Sequence, residues 1–382
     1  MKLVTAGFAT LVTLLSAVKA TPTHQFDHFF PGWNNDVQKI LSENCSDVYA
    51  EYRTGKVNYT LGRQSLVTPV TDCILNVFGE TKKAELAVGS LILGLIPTIL
   101  QTIGSSTIET ALVGIRRPLL GIMIAAGSPT VSMMKTKDFA EGIATYVNGD
   151  SSRDIGIDFL RTSRRRGLWA AIIAILQYLA VAGALGNVGH LAWQLGVNAV
   201  AVFARDTIFA VPLWTAGAGI IHFAGILAIR LRTRLVHVED SYGAKWARPL
   251  DTSVPIQLLP SIFHPTMRLV IRDISKEKIY HALFYALTWM INIGIIAQVS
   301  FGTLVLSGLL FFSITDTLII VARYTLSAIV CRAVVRFELA GMLVSMVPSE
   351  PQGTGAPKEA EQAGLTSTDW KEAREQELYL GN

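Results

Sequence analysis

The stretch GIRRPLLGIMIAAGSPT, Gly114 to Thr130, decides how many times this chain crosses a membrane. Its centre is apolar enough to enter a bilayer. Two arginines stand at one end, and Pro118 and Pro129 interrupt it. The surrounding composition makes the question necessary. The 382 residues are 51% hydrophobic and 16% charged, with mean hydropathy +0.41. Soluble domains carry about 25% charge. The deficit predicts an all-α integral membrane protein. No basic run interleaved with aromatics points to nucleic acid.

Five segments are long and apolar enough to span: 86–103, 168–185, 208–229, 282–299 and 301–322. At 1.5 Å per residue they reach about 27–33 Å. Two more, 119–134 and 190–204, are short for a crossing. Charge discriminates between five and seven spans, because Lys and Arg collect in cytoplasmic loops. With five spans and an outside start, 24 basic residues after Ala20 lie inside and 7 outside. With seven spans, the loop 135–167 moves outside with Arg164, Arg165 and Arg166, and the count becomes 17 to 14. Five is the reading that keeps the bias. The opening stretch is then expected to be a re-entrant or interfacial element beside Arg116 and Arg117. Segment 190–204 is expected to lie at the outer interface. A seven-helix, receptor-like protein is the alternative.

The N-terminus has the form of a secretory signal over residues 1–20. Lys2 starts it, Leu3 to Val18 is apolar, and Val18-Lys19-Ala20 resembles a cleavage site. Residues 21–84 then form a small outer or lumenal domain. Val37, Ile40, Leu41, Cys45, Val48 and Tyr52 recur at helical spacing, which predicts an amphipathic helix over 35–53 capped by Asn34 or Asn35. Cys45 and Cys73 are expected to pair, and Asn58 begins a glycosylation sequon. The Pro-, Gly- and Glu-rich residues 347–382 are expected to be a disordered cytoplasmic tail.

Within the spans, polar residues stand out because they are costly there and face the bundle interior. Asp316 falls about 10 Å, and His222 about 12 Å, from the inner ends of their expected spans. Gln177 and Asn292 fall nearer the midplane. The four suggest either an intramembrane ion or polar-solute site or plain interhelical hydrogen bonding. Ala182 and Gly186 have the small-xxx-small spacing of close helix contacts. Glu109, Arg116 and Arg117 read as interfacial anchors or ion pairs. Cys331 falls on an expected inner-leaflet helix, where acylation is an option. His24, Asp27 and His28 form no adequate metal set, so neither metal nor cofactor is expected. Phosphate-loop, dinucleotide, nucleophile-elbow and HExxH motifs are missing from the sequence, which gives no ground for an enzyme.

Two blocks carry a resemblance. Asp72 to Val131, beginning DCILNVFGETKKAELAVGS, and Phe301 to Met342, FGTLVLSGLLFFSITDTLIIVARYTLSAIVCRAVVRFELAGM, resemble a family of multi-pass integral membrane proteins of filamentous fungi. The resemblance implies a fungal source and a membrane location. The family carries no assigned activity, so it transfers no site residue. The expected role is non-enzymatic: handling of a small solute or ion, or service as a membrane scaffold. An accessory role in fungal secondary metabolism is a further alternative. The expected partners are the bilayer and other membrane proteins, in the secretory pathway or plasma membrane, with the C-terminus cytoplasmic.

Overall fold

A computed structural model of the protein describes residues 24–55, 65–129, 131–132, 166–205, 207–237, 258–263, 267–271 and 278–346. The expected signal (1–20), the sequon at Asn58 and the tail (347–382) lie outside the described residues.

Three short helices form a head: α1 (Asn34–Glu43), α2 (Ser46–Thr54) and α3 (Val67–Val77). The bundle follows with α4 (Glu80–Ile103), α5 (Thr107–Arg116), α6 (Pro118–Gly127), α7 (Arg166–Val197), α8 (Ala210–Arg232), α9 (Lys278–Ser307) and α10 (Ile314–Met346). Two antiparallel ribbons tie the ends. At the head side β1 (Val200–Ala201) pairs with β4 (Leu309–Leu310). At the far side β2 (Thr233–His237) pairs with β3 (Met267–Ile271).

Among the described residues α4, α7, α8, α9 and α10 are long and apolar enough to cross a bilayer. Only 28% of the apolar window of α7, and 50% of that of α8, is buried inside the protein. Leu176, Ile220 and Trp289 therefore stand outward on a surface that water would not tolerate. This is a multi-pass integral membrane protein in contact with lipid.

The opening stretch is not a span. It is two ten-residue helices, α5 and α6, meeting at Arg116-Arg117-Pro118. Pro118 takes the first helical position of α6, where its missing N–H costs nothing. At about 15 Å, α6 is half the thickness of a bilayer core. Its Leu120 and Ile124 are fully buried against the long helices. A Cβ on Gly121 would meet the Gly114 Cα at 2.4 Å, so the two helices touch backbone to backbone. Segment 190–204 is not a separate element either, because α7 continues through Val197 before the chain turns into β1. The described residues thus hold no sixth or seventh span.

The span expected at 301–322 is corrected. Helix α9 runs through it to Ser307, the chain turns over 308–313, and α10 restarts at Ile314. The Ser313 hydroxyl accepts from the Asp316 amide at 3.1 Å and donates to the Asp316 carboxylate at 2.7 Å. That serine satisfies a first-turn N–H which would otherwise be orphaned. Phe311, in the turn, adopts φ 72°. This left-handed conformation is strained for a bulky residue. Edge-to-face packing on Phe29 (5.6 Å) and Phe78 (6.2 Å) holds it there.

The helix expected over 35–53 is broken at Asn44-Cys45 into α1 and α2. The bend folds Val37, Leu41 and Tyr52 around one core with Phe26, Ile74 and Phe78. Asn34 does not cap α1; its side-chain oxygen accepts from the Phe29 amide. Cys45 and Cys73 are disulfide-bonded across a separation of 28 residues. Closing such a loop contributes roughly 3–4 kcal/mol. The head core continues into Val200, Leu310 and Phe311, so the head sits directly on the bundle's end. On its rim, burial raises the Asp27 carboxyl, but the His24 hydrogen bond and the Arg53 charge outweigh it and leave it below its ordinary range.

Candidate functional site

Helix α10 is the axis on which the buried polar groups hang. Near its start, the Ile314 amide donates to Glu85 of α4 at 3.0 Å. Eighteen residues on, the Arg332 guanidinium donates to the Thr102 and Ile103 carbonyls, where α4 ends. The two helices run side by side for about 27 Å. Arg332 supplies the carbonyls that the break at Gly104–Ser106 leaves open. At membrane depth such a break must be satisfied by protein. Ser106 and Glu109 form a capping box that restarts the chain as α5.

Toward the far side, α10 carries Glu338, which is completely buried. Its carboxylate accepts from Arg117 at 2.7 Å, from the Gln177 amide at 2.7 Å, and from the Ser261 hydroxyl and backbone N–H at 2.7 and 3.1 Å. Arg117, also with zero exposure, donates to the Gln177 side-chain oxygen and to the Leu258 carbonyl, and lies 5.1 Å above the Tyr178 ring. The ion pair joins the α5–α6 hinge to α7, α10 and the turn Ser261–Phe263. Arg116, beside it, donates to the Ser261 carbonyl at 3.4 Å. Both arginines are thus interior groups, not interfacial anchors.

Toward the head side, Arg323 of α10 forms a second cluster with Asn187, His190 and Gln194 of α7. Fifteen residues separate Arg323 from Glu338, about 22 Å along the helix. The bundle therefore has buried arginines toward its far edge and a half-buried one toward the head.

From the level of His190 toward the far side, a cavity of about 610 Å³ opens among α6, α7 and α8. Ala125, Leu185, Val188, Gly219, Phe223 and Ile226 are among its walls. Trp193, Ile220 and Phe223, which face outward, border it. Among the described residues, no charged one lines it. Thr215, one of its few polar residues, spends its hydroxyl on the Val211 and Pro212 carbonyls of its own helix.

The four residues expected to share one site do not meet. Asp316 lies in the first turn of α10, where it receives the Gly32 amide of the head and the Ser313 hydroxyl. His222 is buried in α8. Tyr324 and Trp214 pack ring to ring at 5.7 Å and set the two helices in register. Asp316 is eight residues to one side of that level and His222 eight to the other, so about 24 Å separates them along the bundle. Asn292 lies on α9 near the level of His222, since a Cβ on nearby Gly294 would touch Ile221. Gln177 belongs to the Glu338 cluster. Cys331 is fully buried inside the bundle, in the middle of α10, and not on an inner-leaflet helix open to acylation. Nothing lies within 4 Å of a Cβ on Gly186, so the expected small-residue contact is not made.

Glu338 and Arg323 escaped the sequence reading because the last span was ended too early. The cue was the apolar run Leu339 to Met346 after Arg336, which keeps α10 helical beyond its arginines. No family model, curated protein or solved structure matches the chain.

Proposed function

We propose that this protein takes up an apolar small molecule from the bilayer and acts without catalysing a reaction on it. The observation that carries the reading is the membrane-facing cavity between α6, α7 and α8. Its volume is in the range of small-molecule sites, about 300–1,000 Å³. Its walls offer no charge, and the hydroxyl of Thr215 is already spent. An ion entering it would lose hydration without recompense. The solute is therefore apolar, such as a fatty acyl chain or a compact polycycle. This narrows solute handling away from ions. It also moves the site from Asp316 to the α7–α8 groove.

The test is photolabelling with a photoactivatable palmitate analogue on the full-length protein in vesicles. Saturable labelling of residues 118–126, 185–193 and 212–226, competed by excess palmitate, is expected. Gly189→Phe should abolish it, because a side chain there meets open cavity. Labelling that neither saturates nor responds to Gly189→Phe would leave the groove as ordinary lipid-contact surface. A scaffold role would then be the better reading.

The proposed setting is the secretory pathway or plasma membrane, with the head lumenal or outside. The Cys45–Cys73 disulfide supports an oxidising side for the head. Arg230 and Arg232, at the far end of α8, support a cytoplasmic far side. The fungal family resemblance, and with it an accessory role in secondary metabolism, remains a proposal on the same footing.

A further inference from the structure

The two arginine clusters differ in their charge partners. Arg117 is neutralised by Glu338. Arg323 has no carboxylate within ion-pair distance among the described residues, and every partner it has is neutral. Its Nε donates to Asn187 Oδ1 at 2.8 Å and one terminal nitrogen to Gln194 Oε1 at 3.1 Å. The other terminal nitrogen reaches the Asn187 carbonyl at 3.4 Å and His190 Nδ1 at 3.2 Å. Asn187 is itself fixed, since its amide donates to the Arg323 carbonyl and to Ser327 Oγ.

The donor inventory then dictates what remains. A guanidinium only donates, so His190 Nδ1 must be the bare acceptor. That leaves Nε2 as the ring nitrogen not facing Arg323. Gln194 has committed its oxygen, which leaves its NH₂ group. One hydrogen of the Arg323 nitrogen that binds Gln194 is uncommitted among the described residues. The cluster therefore presents three kinds of donor and one net positive charge. His190 is exposed at the surface of α7, and Arg323 and Gln194 are half-buried beside it.

Depth supplies the second constraint. Arg323 is adjacent to Tyr324, which packs on Trp214, four residues or about 6 Å inside the start of α8. His190 lies 6.3 Å from the ring of Trp193, an outward-facing aromatic of the kind that marks membrane–water boundaries. Arg323 is nine residues, about 14 Å, inside the start of α10, and its guanidinium reaches toward the head side as far as Gln194, three residues before the end of α7. At such a level a half-exposed guanidinium with no carboxylate partner among the described residues is open to an anion.

We propose that Arg323, His190 and Gln194 bind a phosphate group at the head-side membrane boundary, carried by a phospholipid or by a soluble phosphate. A phosphate offers several acceptor oxygens to a group of neighbouring donors and supplies a negative charge. In the far-side cluster Glu338 already supplies a carboxylate to Arg117, with zero exposure at both side chains, so that guanidinium has no room for a phosphate.

The test is thermal unfolding of the full-length protein in lauryl maltoside with three probes: dioctanoyl phosphatidic acid, dioctanoylglycerol and inorganic phosphate. Phosphatidic acid should raise the midpoint of the wild type by about 3–6 °C at saturation, and dioctanoylglycerol should not. Arg323→Gln should abolish the shift. The double variant His190→Ala with Gln194→Ala should also lose it while keeping the Arg323–Asn187 contacts that hold the helices. It decides the matter if Arg323→Gln does not fold. A matching shift with inorganic phosphate, lost in the same variants, would identify the soluble anion as the source. No shift with either phosphate, equal shifts with dioctanoylglycerol, or unaltered shifts in the double variant would overturn the site. The comparison with dioctanoylglycerol separates this site from the apolar cavity, whose failure would leave it untouched.

Discussion

The backbone amide of Gly32 in the head donates to both carboxylate oxygens of Asp316 in α10, at 3.2 and 3.1 Å. A Cβ on Gly32 would lie 2.5 Å from Asp316 Oδ2 and 2.2 Å from Ser313 Oγ. Glycine is required here by close approach. Gly32→Ala should therefore lift the head off the bundle or strain the cap, at a cost of about 1–3 kcal/mol. Limited proteolysis of the purified protein measures it, with faster cleavage around α1–α3 expected. Asp316→Asn should act at the same joint. With His222→Ala about 24 Å away, its effect on thermal stability should add to within about 0.5 kcal/mol. A coupling above 1 kcal/mol would mean that the two residues communicate through the bundle after all.

Asp316 also shows what the sequence held and what it concealed. The motif Ser313-Ile314-Thr315-Asp316 has the serine and acid at the spacing of a helix start. Hydropathy runs unbroken across 301–322, because the turn at 308–313 is built from Leu309, Leu310, Phe311 and Phe312. Those residues are apolar because the head covers them. A composition window cannot separate a turn buried under the head from a turn inside a span. The same blindness put Arg323 at the inner end of the last expected span instead of in the α7–α10 seam. By contrast, the number of spans, the disulfide and the non-spanning nature of residues 118–127 were legible. Length, oxidation chemistry and charge asymmetry act through local sequence alone. Glu338 found Arg117 across 221 positions, a pairing set by the packing of α5, α6, α7 and α10.

The Arg117–Glu338 pair is a buried ion pair with all its listening oxygens and one guanidinium edge engaged by Gln177, Ser261 and Leu258. Removing one member leaves a charge without compensation inside the protein. Glu338→Leu or Arg117→Met alone should cost about 3–5 kcal/mol, and the double variant should recover a large part of that. Thermal unfolding followed by size-exclusion of the detergent-solubilised protein gives the comparison. Equal loss in single and double variants would assign the cost to packing instead of charge.

The contact between Gly114 and Gly121 fixes how α6 folds back on α5. The Gly121 position admits no methyl group, since its nearest neighbours are backbone atoms at 2.4 and 2.9 Å. Gly121→Ala should destabilise the protein by about 1–3 kcal/mol. Gly183→Ala, where a Cβ meets nothing within 4 Å, should be nearly silent in the same melting assay. If the two substitutions behave alike, α5 and α6 do not pack at backbone distance.

Sidedness is testable through one engineered glycan. Asp150→Thr creates an Asn-Gly-Thr acceptor at Asn148, in the sequence between α6 and α7. With α6 only about 15 Å long, this segment should stay on the side opposite the head. In a eukaryotic secretory host, the variant should gain no glycan at Asn148, while removal of the Asn58 sequon by Asn58→Gln should shift the protein to lower mass. The charge argument makes the same demand. A crossing at residues 114–130 would carry Arg153, Arg161, Arg164, Arg165 and Arg166 to the head side, against the bias that orients membrane helices. Endoglycosidase-sensitive mass gained at Asn148 would put that segment beside the head and remove the five-span arrangement, and with it the assignment of the far-side arginines to the cytoplasm.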